Sequence, residues 1–316
     1  MAFDTPETIL SPTGAKVNLH SVAPEESPVA AVQINHGLAE HSARYSRFAK
    51  YLAERGFAVF AHDHRGHGYT SAPGAPLGSF GPRGMDAVLD DVLAVHEHIA
   101  QAYPGLPVIV FGHSMGALIA LNFVSRHPRR ISGAAIWNGN FTGGVLGLAA
   151  KVVLAWEKFR LGSDVPSRIL PRLTFRDWAR KVSDGRTEFD WLSHDHNEVD
   201  RYVADPLCGW APSIGMWNAV FDMMIAGSDD RTLARIPRHL PINLVGGDED
   251  PATDFGKAVT RLEDRMRRMG FLNLTSTIYE KTRHESLNEL NQNIIMKKFA
   301  DWAEMVATNT GTTPSA

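Results

Sequence analysis

A chain of 316 residues, 44% hydrophobic and 21% charged, can bury a large core and build one large or two modest domains. Its formal net charge of −3 argues against nucleic acid as a partner, because such binders usually carry a basic surface. The single cysteine, Cys208, rules out an internal disulfide, and no run reaches the roughly 18 apolar residues a membrane span requires. Met1 to Glu7 has neither a basic n-region nor an apolar h-region, so no secretion signal is expected and the expected compartment is cytoplasmic.

In chain order, Val17 to Val22 and Val29 to Asn35 read as strands, punctuated by Pro12-Thr13-Gly14 and by Pro24 to Pro28. The second strand runs into His36-Gly37-Leu38-Ala39-Glu40-His41, and a helix is expected from about Ser46 to Arg55. Phe57 to Ala61 is a short apolar strand ending in His62-Asp63-His64-Arg65-Gly66-His67-Gly68. The spacing of His62, His64 and His67 matches a dinuclear zinc loop, yet Gly66 stands where that loop has its aspartate and no remaining ligand set is evident. We therefore expect a Gly-rich loop, with Asp63 and Arg65 in local hydrogen bonds and no metal. Pro82 to Tyr103 carries Val88, Val92, Val95 and Ile99 on one helical face.

Val108 to His113 is a buried strand that passes through Gly112-His113-Ser114-Met115-Gly116 into an Ala/Leu-rich helix ending near His127-Pro128. This is Gly-x-Ser-x-Gly in its strand–turn–helix setting. A sharp turn there holds the serine in a strained conformation, and glycine on either side avoids collision. Such a serine needs a base, an acid that orients the base, and donors for an oxyanion. The backbone N–H groups of Leu38 and Met115 are the candidate donors, and His113, unable to curl back onto its own serine, reads as structural.

Ile131 to Trp137 is the next strand, so strands and helices alternate as in a mostly parallel sheet covered on both faces. The rhythm breaks beyond Asn140. Gly143 to Trp156 is an apolar run with Lys151 as its one charge, hence a buried or an interfacial helix. Trp178, Trp191, Trp210 and Trp217 follow; they form a small core of their own, some of them lining the space above Ser114. Alternation resumes with Pro241 to Val245, a helix from about Phe255 to Met269, a strand from Leu274 to Tyr279, and a helix through Ile294, Phe299, Trp302 and Val306. The expected organisation is a core of residues 1–140 and 228–307, a helical cap over 141–227, and a disordered tail over 308–316.

An acid after one late strand and a histidine after the next give the order Ser114, Asp250, His284. His284 is the candidate general base. Among Asp248, Glu249 and Asp250, the deepest in the turn is Asp250, stiffened by Pro251, and Asp248 is the alternative; Glu285 and Glu289 read as solvated or capping residues.

His-Gly-Leu-Ala-Glu-His-Ser-Ala-Arg-Tyr, Asp-His-Arg-Gly-His-Gly, Gly-His-Ser-Met-Gly and Arg-His-Glu together resemble the monoacylglycerol lipase and lysophospholipase branch of the α/β-hydrolases, of the S33 serine aminopeptidase type. The resemblance spans about Lys16 to Trp302 and is weakest in the cap. It implies Ser114, Asp250 and His284 as catalytic residues, Leu38 and Met115 N–H groups as the oxyanion hole, and hydrolysis of acylglycerol-like or lysophospholipid-like esters without metal or organic cofactor. The acid loop, with two further acidic residues, departs from the pattern. The implied partner is a small ester with an acyl chain, with transient membrane-surface contact through the cap; nothing in the sequence sets an oligomeric state. Alternatives on the same fold are an acyltransferase or a proline-type aminopeptidase, for which Glu188, Asp190, Asp195 and Glu198 supply acidic cap residues. A catalytically silent receptor would have no need of the three residues.

Overall fold

The computed structural model describes residues 3–310, without the side chains of residues 145, 146, 309 and 310. Eight strands form one sheet: β1 (Glu7–Leu10), β2 (Lys16–Val22), β3 (Ala30–Asn35), β4 (Phe57–His62), β5 (Val108–His113), β6 (Gly133–Trp137), β7 (Ile242–Gly247) and β8 (Leu274–Tyr279). Their order is β1-β2-β4-β3-β5-β6-β7-β8. Strand β2 runs antiparallel to both neighbours, and β3 to β8 are parallel. Every residue of β3 to β7 is buried, which explains why they read as unbroken apolar runs rather than alternating ones.

Helices α1 (Ser46–Glu54), α2 (Met85–Ala102) and α3 (Met115–Arg126) belong to the first half of the chain. Between β6 and β7 come α4 (Gly144–Leu161), α5 (Leu170–Leu173), α6 (Phe175–Arg180), α7 (His196–Ala204), α8 (Ile214–Gly227) and α9 (Asp230–Leu233). The chain closes with α10 (Lys257–Arg268) and α11 (Gln292–Thr310). Side chains alternate across the sheet. Ile109 and Phe111 of β5 join α1 and α11 in one core, whereas Val110 joins α2, α3 and α10 in the other. Phe111 anchors the first, its ring edge-on or tilted to Trp137 (5.0 Å), Phe48 (5.4 Å) and Phe299 (5.6 Å).

Two expectations are corrected. Strand β1 was not foreseen: at four residues, half exposed on the sheet edge, it has no apolar run to reveal it. Helix α11 runs to Thr310, into the stretch expected to be tail, the Thr308 hydroxyl donating back to the Glu304 and Met305 carbonyls; residues 311–316 lie outside the described part.

The histidines after β3 and β4 pack against one another. His62 lies edge-on to His64 at 4.6 Å, and His36 sits 4.4 Å from His64 and 5.0 Å from His67. The rings do not converge; among the described residues, the His, Cys, Asp and Glu atoms close enough to share an ion are those of His41, Asp205 and Cys208. Among the described residues, neither ring nitrogen of His62 or of His64 has a protein hydrogen-bond partner, and the two rings meet edge-to-face. The expectation of local hydrogen bonds holds only in part: Asp63 accepts the Tyr69 N–H within its loop at 2.8 Å but also accepts from Ser42 and Asn18, and Arg65 reaches Asp91 on α2 at 2.7 Å.

Burial lowers His62 to about 4 and His67 to about 3, and lowers His36 and His64 too. In the unfolded chain these rings take up protons below about pH 6.5, while the folded protein keeps them neutral. Stability is therefore complete above that pH and falls on acidification, by about 1.4 kcal/mol per pH unit for each histidine within its window. Urea midpoints measured between pH 7.5 and 5.0 should decline steadily; a flat midpoint would contradict neutral burial.

Candidate active site

The strand order places the ends of β3 and β5 side by side where chain connections diverge, the place at which open α/β sheets leave a crevice. Ser114 caps α3 there, with φ +57° and ψ −118°. That backbone costs about 1–3 kcal/mol in a non-glycine residue. Its neighbours explain why the turn closes: a Cβ at Gly112 would lie 2.1 Å from the Gly116 carbonyl oxygen, and one at Gly116 would lie 2.0 Å from that of Asn35. The Ser114 N–H donates to the Trp137 carbonyl at 2.9 Å, tying the turn to β6.

Ser114 Oγ is 2.8 Å from His284 Nε2, and His284 Nδ1 is 2.9 and 3.0 Å from the two oxygens of Asp250. A carboxylate only accepts, so Nδ1 carries the proton and Nε2 is free to accept from the serine. Asp250 is buried and takes three more donors: Ala252 N–H (2.9 Å), Thr253 Oγ1 (2.9 Å) and Asn138 Nδ2 (3.1 Å). Burial alone would raise its pKa, but His284 and these donors hold it below the ordinary value. Asp248 and Glu249 are exposed, and Glu249 reaches His194 at 3.1 Å.

The candidate oxyanion donors flank the serine. Met115 is the first residue of α3, too early for an intrahelical partner, and Leu38 lies in the turn after β3. His36 braces that turn. Its Nδ1 donates to the Gly37 carbonyl at 2.7 Å and its Nε2 accepts the His64 N–H at 3.0 Å. His113 contacts the site from behind, Nε2 donating to the His284 carbonyl at 2.9 Å. Burial opposes charge on this ring, but Glu40 beside it raises its pKa above the ordinary value.

A cavity of about 810 Å³ opens over Ser114. Leu118, Val153, Trp217, Val220 and Met224 make its walls apolar, while Glu40 and Glu285 line it close to the serine, and Lys181, Asp254 and Arg261 line it as well. All four tryptophans singled out in the sequence border it, and Trp191 lies 5.0 Å from the His284 ring. Glu188, Asp190, Asp195 and Glu198 are not among the lining residues. Asp190 and Asp195 serve local backbone N–H groups, and Glu198 pairs with Arg47 and Arg201, so the aminopeptidase alternative loses the groups that favoured it.

Glu285 and Glu289, expected to be solvated or capping, are not solvated: Glu289 accepts loop backbone N–H groups and Glu285 precedes the Ser286–Asn288 turn. Both are buried: Glu289 accepts from the Arg283 N–H and from His194, and Glu285 forms a two-pronged pair with Arg44. The residues between α6 and α7 also hold the His284 loop, since the N–H of Glu285 donates to the Leu192 carbonyl and Arg283 donates to the Asp190 carbonyl. Sequence reasoning missed these contacts; the i,i+4 spacing of Glu40 and Arg44 beside the His-Gly turn is the one local signal that could have pointed to them.

The two candidate acids are separable by experiment. Asp250→Asn should lower kcat by about 10⁴-fold, as when a buried acid no longer holds its histidine tautomer. Asp248→Asn should leave kcat unchanged. Ester hydrolysis by the two purified variants decides, and the reverse pattern would move the acid to Asp248.

A family model described as serine aminopeptidase, S33, matches residues 26–291. Human monoglyceride lipase is 29% identical over 297 residues, covering 92% of this chain and 87% of that protein. A monoacylglycerol lipase of Mycolicibacterium smegmatis is 27% identical over 296 residues, covering 92% and 93%. Among solved structures, a thermostable carboxyl esterase from Bacillus coagulans in complex with glycerol aligns with TM-score 0.88 and 25% identity over 97% of this chain and 99% of that one. A lipase in an open form aligns with TM-score 0.83 and 29% identity over 96% and 99%. The chain belongs to the S33 serine aminopeptidase family of the α/β-hydrolases.

Proposed function

We propose that this protein is a serine carboxylester hydrolase acting on lipid-like esters of the monoacylglycerol or lysophospholipid type. The observation that carries the reading is Ser114 Oγ, 2.8 Å from His284 Nε2, at the base of a mostly apolar cavity of about 810 Å³. The names of the relatives, monoglyceride lipases and esterases, support the same class of substrate. His284 takes the Ser114 proton as Oγ attacks the ester carbonyl. The Leu38 and Met115 N–H groups receive the oxyanion, and the alcohol leaves with the proton from His284. Water, deprotonated by the same imidazole, then releases the acid from the acyl-enzyme. Asp250 keeps the ring oriented and stabilises its charged form.

Residues 141–227 act in this reading as a helical cap on a core of 1–140 and 228–307. Helix α4 gives the cavity Gly147, Ala150 and Val153, while its other side exposes Leu148, Val152, Trp156 and Phe159, the last 90% exposed. The spacing of these four makes one apolar stripe, suited to resting on a lipid surface beside the cavity mouth. No helix of the described residues is long and apolar enough to cross a membrane. Contact is therefore peripheral, and the lone cysteine suits a cytoplasmic setting.

Hydrolysis of p-nitrophenyl esters and monoacylglycerols of graded chain length tests the reaction. Each added methylene should raise kcat/KM about fourfold, from about 0.8 kcal/mol of burial, until the cavity ends. Ser114→Ala should fall to background. A rate indifferent to chain length would remove the lipid assignment, and an active Ser114→Ala would remove the serine. For the surface contact, sedimentation with phospholipid vesicles should capture the wild type and lose a Trp156→Glu/Phe159→Glu variant that still cleaves short soluble esters. Equal recovery of both would contradict the docking role of α4.

A further inference from the structure

Arg44 sits in the 3-10 turn Ser42–Tyr45, ahead of α1, and its guanidinium joins two carboxylates. Nη1 donates to Glu40 Oε2 at 2.5 Å and to Glu285 Oε1 at 2.6 Å, and Nη2 donates to Glu285 Oε2 at 2.7 Å. The Tyr202 ring covers the guanidinium at 4.9 Å. Withdrawing such a cluster from most of its water is costly, and well-packed apolar side chains would stabilise the fold at least as well. Stability alone does not account for the cluster.

Its attachments do. Glu40 Oε1 accepts the Gly37 N–H at 2.5 Å, in the turn that presents Leu38. Glu285 directly follows His284 in the chain. His113, directly before Ser114, places Nδ1 3.6 Å from Glu40 Oε1 while its Nε2 holds the His284 carbonyl. One buried network thus reaches the chain neighbours of the oxyanion turn, the nucleophile and the base. Arg44 and Glu285 are 241 residues apart in sequence. Their two segments come from opposite halves of the sheet, β3 and β8, which do not pair.

Resting on the serine-hydrolase reading above, we propose that Arg44 is a positioning residue: through Glu40 it holds the oxyanion turn, and through Glu285 it holds the His284 loop, fixing their spacing across Ser114. Glu40 and Glu285 line the cavity and Arg44 does not, so it acts through them. The planar fork matters, because a lysine ammonium is a point charge that cannot fix both carboxylates in one plane.

The test combines steady-state kinetics on a p-nitrophenyl ester with the rate at which a fluorophosphonate labels Ser114. A misplacement of about 1 Å can cost about 10²-fold, so Arg44→Lys should lose about ten- to a hundredfold in kcat. Its KM should stay within about threefold, since the acyl cavity is untouched. Labelling should slow in parallel, and Glu285→Gln, a change in the cavity lining itself, should lower kcat and the labelling rate more mildly. Arg44→Met should lose more; if it does not fold, Arg44→Lys and Glu285→Gln decide. A folded Arg44→Lys with kcat within about twofold of wild type, or with its whole loss in KM, would overturn the positioning role. Wild type that never labels at Ser114 would overturn the serine assignment and this inference with it, whereas normal labelling of both proteins overturns this inference alone.

Discussion

The structure depends on one steric constraint: the backbone at Ser114 turns from strand to helix with φ +57°, and it does so only because Gly112 and Gly116 have no side chains. A Cβ at either would fall about 2 Å from a carbonyl oxygen, so no small adjustment could accommodate it. The strain at the serine is held by the buried strands on both sides of β5 and by the Ser114 N–H bond to Trp137. The turn places three things at once. It lifts Oγ to the cavity, starts α3 at Met115, too early for an intrahelical partner to its N–H, and brings the turn after β3 alongside.

Around that turn, charge is handled in two ways. The imidazoles of His36, His62, His64 and His67 are buried neutral against one another, keeping the floor of the turn after β3 free of titrating charge near neutral pH. Glu40, Glu285 and Asp250 are instead buried and hydrogen-bonded, the first two to the partly buried Arg44 and the third to Asn138 and His284. The segment between α6 and α7 belongs to this support as much as to any lid, since its backbone holds the His284 loop while α4 forms the outer wall of the cavity.

Much of this was legible in the sequence, for physical reasons. The Gly-x-Ser-x-Gly turn is encoded locally, and parallel strands buried on both faces read as apolar runs, so the strand ends bearing Ser114, Asp250 and His284 could be found in order. The helical interruption after β6 showed as a break in alternation, and its tryptophans as candidates for the cavity. What escaped was non-local or weakly marked. The partners of Glu285 and Glu289 come from distant segments, so both looked like solvated acids. Strand β1 is an edge strand with half its residues exposed, and the end of α11 is Thr-rich and polar yet continues the helix.

In the proposed reaction Ser114 carries the acyl group between two half-reactions. Rapid-quench peptide mass spectrometry during turnover of a p-nitrophenyl ester tests it most directly. A transient acyl mass is expected on the peptide containing Ser114, formed with the burst of p-nitrophenol and absent in Ser114→Ala. Turnover at the normal rate with no acyl mass on that peptide, or with the mass on another residue, would contradict it.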